Sequence, residues 1–194
     1  MAIGLLILRL VVGLVMVAHG AQKLFGWFGG HGITGTGGWL ESLGFKPGRF
    51  HASVTGLAEL GGGSLVALGF LTPLGAAAVI GVMVVAIATV HGDNGFFNTA
   101  GGFEFNLVLI AAVTALAFTG AGEISIDNAL DLGFGGISWG ISALAAGLVV
   151  AGLVIASRQT VPVADQDQTA GSNEGDEVID LAAEEDRTTV DAGR

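Results

Sequence analysis

No cysteine occurs among the 194 residues, which excludes disulfides, thiolate metal sites and Cys-ligated iron–sulfur clusters. Any redox role therefore needs a quinone, a haem or a partner protein to carry the electrons. Charge is scarce too: Asp, Glu, Lys and Arg make up 12% of the chain, about half the usual share for a soluble domain. The mean hydropathy of +0.73 fits a membrane protein. What charge there is divides unevenly. Residues 158–194 hold ten acids against Arg158, Arg187 and Arg194, net -7 of the total -10, so the membrane body is only mildly acidic. This stretch is also poor in aromatics, the composition of a disordered tail, and it makes nucleic acid an unexpected partner.

Five apolar runs approach the roughly 20 residues that cross a bilayer as a helix. They cover residues 3–25, 52–71, 74–91, 103–120 and 137–157. The first lacks a basic leader and carries Arg9 where a cleavable core would be uninterrupted, so it is expected to be a retained helix. Thr72-Pro73 stops the second run and suits the first turn of the third, which predicts a tight hairpin. In the fifth run Ala143, Gly147 and Ala151 form a small-residue stripe, expected to serve close helix packing. The chain thus reads as an all-α integral membrane protein.

Residues 26–50, between the first two runs, hold nine glycines with Trp27, Phe28, Trp39, Phe45 and Phe50, a composition suited to the headgroup region. Gly30-His31-Gly32-Ile33-Thr34-Gly35 fits G-x-G-x-x-G, but it follows a membrane helix instead of a strand, so the nucleotide-binding mechanism is missing. With five spans, Lys23, Lys46, Arg49 and Arg158 all fall on one side. The positive-inside rule then puts the tail in the cytoplasm of a bacterial cell and Met1 outside its membrane.

Ionisable groups inside such spans are costly and usually mark a pathway or a site. His19, Glu59, His91 and Glu104 come from four different runs and, by depth, all lie in the cytoplasmic half. Lys23 shares a helix face with His19, and Thr55 with Glu59. Glu59, flanked by Gly61, Gly62 and Gly63, is the strongest candidate for chemistry, with His19 next. His91 suits a helix C-terminus and Glu104 a helix first turn, so each also has a purely structural reading. Two imidazoles beside glycines, His19-Gly20 and His91-Gly92, could flank a haem, but no second pair supports it. No tight ligand spacing supports a metal site, and none is expected. Arg9, on the outer half, is expected to pair structurally with Asp127 or Glu123.

These residues resemble a known family. Arg9, His19-Gly20-Ala21-Gln22-Lys23-Leu24-Phe25-Gly26, Glu59-Leu60-Gly61-Gly62 with Leu68-Gly69, His91-Gly92 with Gly95-Phe96-Phe97, Gly101-Gly102-Phe103-Glu104 and Gly120-Ala121-Gly122-Glu123-Ile124-Ser125-Ile126-Asp127 are similar, in order, to the DoxX family of small membrane proteins. The resemblance implies a four-helix bundle over residues 1–131 and a link to membrane oxidoreductases of the thiosulfate:quinone type. A fifth transmembrane helix at 132–157 and the acidic tail at 158–194 lie outside the pattern, and Glu123 stands where a basic residue is common. On this reading Glu59 and His19 exchange protons with a quinone, Lys23 stabilises the developing oxyanion, and His91 and Glu104 help to hold the quinone. Two other functions use the same residues. One is a membrane anchor for a soluble redox enzyme, docked through residues 26–50 or the tail; the other is a proton-coupled carrier, for which broken-helix inverted repeats are not evident. In the bundle-plus-appendage reading, the fifth helix is dispensable for the core fold.

Overall fold

A computed structural model describes residues Met1–Gln159 as one compact unit. The disordered tail expected from the sequence lies, beyond Gln159, outside the described residues. The long helices are α1 (Ala2–Phe25), α2 (Gly32–Ser42), α3 (Gly48–Leu68), α4 (Thr72–Ala86), α5 (Glu104–Thr119) and α7 (Ile137–Ala156), with a single turn, α6 (Ile126–Ala129), before the last. No strand occurs among the described residues. The span from Thr72 to Asn94, α1 and α7 are long and apolar enough to cross a membrane; α5 is apolar but shorter. The protein is an all-α membrane bundle in which α1, α3, α4 and α5 pack together and α7 lies on α4 and α5.

The apolar runs become helices whose ends are set by backbone chemistry. Gly26 (φ 73°) and Gly69 (φ 61°) close α1 and α3 in the left-handed conformation that glycine adopts without strain. Glu41 caps the start of α3, its Oε1 accepting the Gly48 N–H at 2.8 Å. The glycine-rich connection between α1 and α3, read as an interfacial loop, is largely the helix α2, which buries Thr36, Gly37 and Leu40 towards α1 and α3.

Close approach of backbones fixes α1 against α3. A Cβ added at Gly13 would stand 2.6 Å from Gly63 O and Ala67 N, and one at Gly63 would stand 2.6 Å from Gly13 O. Gly20 meets Gly56 O and the Leu60 backbone in the same way. Small residues at such crossings let dispersion and backbone contacts replace the hydrophobic effect, which does not operate between helices in lipid. The core beneath them is Met16, Val66, Val79, Ile80, Val113 and Leu116.

α7 is more than an appendage. Its buried residues are Gly140, Ala143, Gly147 and Ala151, the small-residue stripe extended by one turn, and a Cβ at Gly147 would meet Ile80 Cγ2 at 2.7 Å. Its C-terminus is tied to the α2–α3 connection by Arg158 Nε donating to Leu43 O at 2.6 Å and Gln159 N–H donating to Gly44 O at 2.9 Å. The stripe therefore packs as expected, and dispensability of this helix is not what the contacts support.

The expected ion pair of Arg9 is corrected. Among the described residues Arg9 makes no salt bridge: its Nη2 donates to the Ile124 carbonyl, and Nε and Nη1 find no acceptor. Glu123 is exposed and enters the hydrogen bonding through its carbonyl, which accepts from Asn128 Nδ2. The Asp127 carboxylate instead caps α4, accepting from Leu71 N at 2.7 Å, Thr72 N at 3.0 Å and Thr72 Oγ1 at 2.6 Å. Three convergent donors at a helix N-terminus outcompete one guanidinium for that carboxylate. They also hold Leu71, a non-glycine residue with φ 46°, in the left-handed conformation. Arg9 in turn needs Gly69, because its Nη1 occupies the space where a side chain at 69 would begin.

Gly13→Val should lower unfolding stability in detergent by about 1–3 kcal/mol or more, while Gly4→Val, where a Cβ meets nothing within 4 Å, should leave it unchanged. Equal losses in a thermal or denaturant melt would contradict the crossing. Asp127→Ala should cost about 1–3 kcal/mol by stranding the buried donors of Leu71 and Thr72. The charge swap Arg9→Asp with Asp127→Arg should give no rescue; recovery of expression in the double variant would restore the ion pair.

Candidate functional site

α1 and α3, once crossed, bring Lys23 to Glu59. The two side chains form a salt bridge of 2.6 Å, the only one among the described residues, with the Glu59 side chain 3% exposed and that of Lys23 22%. At that length the contact is a charge-assisted hydrogen bond. Neither group alone is tolerable at such depth, and the pair is nearly neutral in sum. Lys23, one turn beyond His19 on α1, is the residue that reaches the carboxylate, with its longer side chain.

The pair borders a cavity of about 620 Å³ whose walls are mostly apolar. His19, Lys23, Thr55, Glu59 and His91 all line it, so four of the five residues expected to act on or hold a ligand converge on one space. α4 ends there in a π-helical turn, Ile87–His91, followed by a tight turn to Asn94. A π-turn inserts one residue into the ladder and re-aims the side chains after it. His91 Nδ1 lies 2.7 Å from Gly101 O, a carbonyl that can only accept, so Nδ1 is the donor and Nε2 is left without a protein partner. The imidazole is thus held by the loop after α4 and not by the helix's own carbonyls.

Glu104 is the exception. It does not line the cavity; its Oε2 accepts the Asn98 N–H at 2.9 Å, and its role as a ligand-holding residue is corrected to a loop clamp. As the first residue of α5, it lies beside the loop that enters that helix, and the nearest free donor there is backbone. The clamp also has a use, because Asn98 itself borders the cavity.

Two lining residues escaped the sequence reading. Asn106 is buried on α5 and its Nδ2 has only the Met83 sulfur as acceptor, at 3.4 Å. A thioether is a weak acceptor, so this amide retains hydrogen-bonding capacity towards the cavity. Trp39, from α2, borders the same space. An uncharged amide in an apolar run is a weak signal beside Glu or His, and Trp39 read as an interfacial aromatic.

Comparison with known proteins agrees with this architecture. The sequence profile of the DoxX family matches residues 4–92, which hold Arg9, His19, Lys23, Glu59 and His91. The uncharacterized membrane protein Rv3486 of Mycobacterium tuberculosis is 30% identical over 133 residues, 63% of this chain and 78% of that protein. The chain belongs to the DoxX family. The inner membrane protein YqjF of Escherichia coli is 29% identical over 129 residues, 66% of this chain and 93% of that protein. No solved structure matches the chain.

Removing one member of the buried pair should be worse than removing both. Lys23→Met or Glu59→Leu alone should each cost about 3–5 kcal/mol by leaving an uncompensated charge, and the double variant should recover most of it. Melting temperatures of the three variants in one detergent check this; a strictly additive double would mean that the two side chains do not interact.

Proposed function

We propose that this DoxX protein is a membrane subunit of a quinone-linked oxidoreductase system, in which a quinone head occupies the cavity beside Lys23 and Glu59. The observation that carries the reading is a hydrogen-bonded Lys–Glu pair, its carboxylate buried and its cation half-buried, opening onto an otherwise apolar cavity of about 620 Å³. That volume and that mixture of apolar wall with few convergent polar groups are usual for small-molecule sites. A quinone fits the donor set on offer: a flat apolar ring with two carbonyl oxygens, which gain protons on reduction.

Bound there, a quinone would supply the two-electron chemistry that a chain without cysteine has no means of its own to perform. The residues supply protons and polarity. Lys23 Nζ donates to a carbonyl oxygen and stabilises negative charge on it, Asn106 Nδ2 donates to the ring's polar edge, and Glu59, released from Lys23, takes up or returns a proton. His19 and the Nε2 of His91 are two further proton acceptors bordering the same space. The proposed membrane is the bacterial cytoplasmic membrane, with Lys23, Lys46, Arg49 and Arg158 on the cytoplasmic side by the positive-inside rule. The tie between Arg158 and Leu43 joins the end of α7 to the connection that carries Lys46, which supports that assignment.

Glu59→Gln keeps the shape of the side chain and removes its titration. Quinone-linked electron transfer in membranes, normalised to the amount of folded protein, should fall about tenfold or more, roughly 1.4 kcal/mol in barrier. An unaltered rate, with Glu59→Leu destroying the fold, would make Glu59 a structural anchor and favour an assembly role for a soluble redox partner.

A further inference from the structure

The cavity is longer than a quinone head requires. Along α4 its lining runs from His91 back to Leu74, seventeen residues and roughly 25 Å at 1.5 Å per residue. The polar groups lie in the half between His91 and Met83, which Asn106 meets, while the far limb towards Leu74 is apolar. Its floor consists of Ala77, Ala78 and Gly81 of α4 with Ala146 of α7, residues too small to fill it. Its lips are Leu74 on α4 and Val150 on α7, both more than half exposed on the outside of the bundle, where a membrane protein meets acyl chains.

We propose that this apolar limb, along α4 beside α7, holds the tail of a long-chain membrane amphiphile, which enters sideways from the bilayer with its head, the quinone argued for above, reaching Lys23 and Glu59. Three observations converge on a tailed occupant. The limb is continuous with the polar pocket, so one molecule can fill both. The whole cavity, at roughly 25 Å, is far longer than a quinone ring and leaves room for a chain laid parallel to the helices. Its polar partners stop short of the far end: from Met83 to Leu74 the wall of α4 presents only Met, Val, Gly, Ala and Leu. A water-soluble substrate would leave that limb without a use; a tailed one covers it. Lateral entry also places Trp39, at the polar end, beside the ring and not beside the tail.

The experiment uses the full chain in lipid nanodiscs with Trp27→Phe and Trp139→Phe, so that quenching of Trp39 reports binding. The probes are a benzoquinone without a tail, the same ring with a ten-carbon tail, and a ten-carbon alcohol that has the tail but no quinone, read by competition. Affinity for the tailed quinone should exceed that of the tailless ring by about tenfold or more. Because tails also concentrate probes in the bilayer, the decisive comparison is with Leu74→Phe and Val150→Phe, each narrowing the limb at an exposed lip without touching Lys23 or Glu59. Both variants should lose most of the tail advantage while binding the tailless ring as before. Equal advantage in wild type and both lip variants would overturn the tail site and leave the quinone reading intact. Competition by the alcohol at a tail-dependent, lip-sensitive site, with no binding of the tailless ring and none gained from the ring in the tailed probe, would support the tail site and overturn the quinone reading. No quenching and no competition by any probe would overturn both.

Discussion

The crossing of α1 and α3 governs the rest of the molecule. Helices that meet through Gly13, Gly20, Gly56 and Gly63 approach until backbone touches backbone, and neither can slide or rotate without collision. The register so imposed sets Lys23 against Glu59 near one end and sends Arg9 over Gly69 near the other. Both polar contacts of the bundle's halves are therefore consequences of one apolar constraint. In lipid this is the expected order of causes, since packing of small residues drives association and polar groups then specify the geometry.

α4 converts that register into a cavity. Its start is anchored by Asp127 and its end loosens into a π-turn, so the same helix is rigid at one end and adjusted at the other. Between them its face towards α3 and α7 is built from small side chains, leaving volume that larger residues would have filled. Glu104 and Asn98 add a clamp on the loop that borders the opening. Each device acts on the boundary of the cavity and none on its interior, where few polar groups remain.

Most of the helical architecture was legible in the sequence because apolar runs of the right length have few alternatives in a bilayer. The runs at 52–71, 74–91, 103–120 and 137–157 correspond to α3, α4, α5 and α7 to within a few residues at most ends. α2 was not legible: four glycines in eleven residues argue against a helix, and only burial of Thr36 and Leu40 outweighs that propensity. The convergence of His19, Lys23, Glu59 and His91 could be foreseen from depth alone. Their pairing could not, because depth does not say which residue of α1 reaches the carboxylate. Asp127 failed for a related reason, since charge attracts attention to Arg9 while backbone N–H groups at the start of α4 carry no letter in the sequence. Glu104 likewise found a backbone partner that no side-chain pattern announces.

The Lys23–Glu59 bond bears on biosynthesis as well as on the finished protein. α3 has the length of a span but, unlike α1, does not reach the composition of one, and Glu59 near its middle is the reason most easily named. Presented alone to the lipid it would carry an uncancelled carboxylate, whereas α1 is apolar enough to enter first and holds the matching cation on its last turn. The two segments are joined by a connection that itself folds onto both. A helical hairpin, neutralised across its own interface, is thus the natural unit of insertion, and the residue that burdens α3 in isolation becomes the one that selects its neighbour as it leaves the translocation machinery.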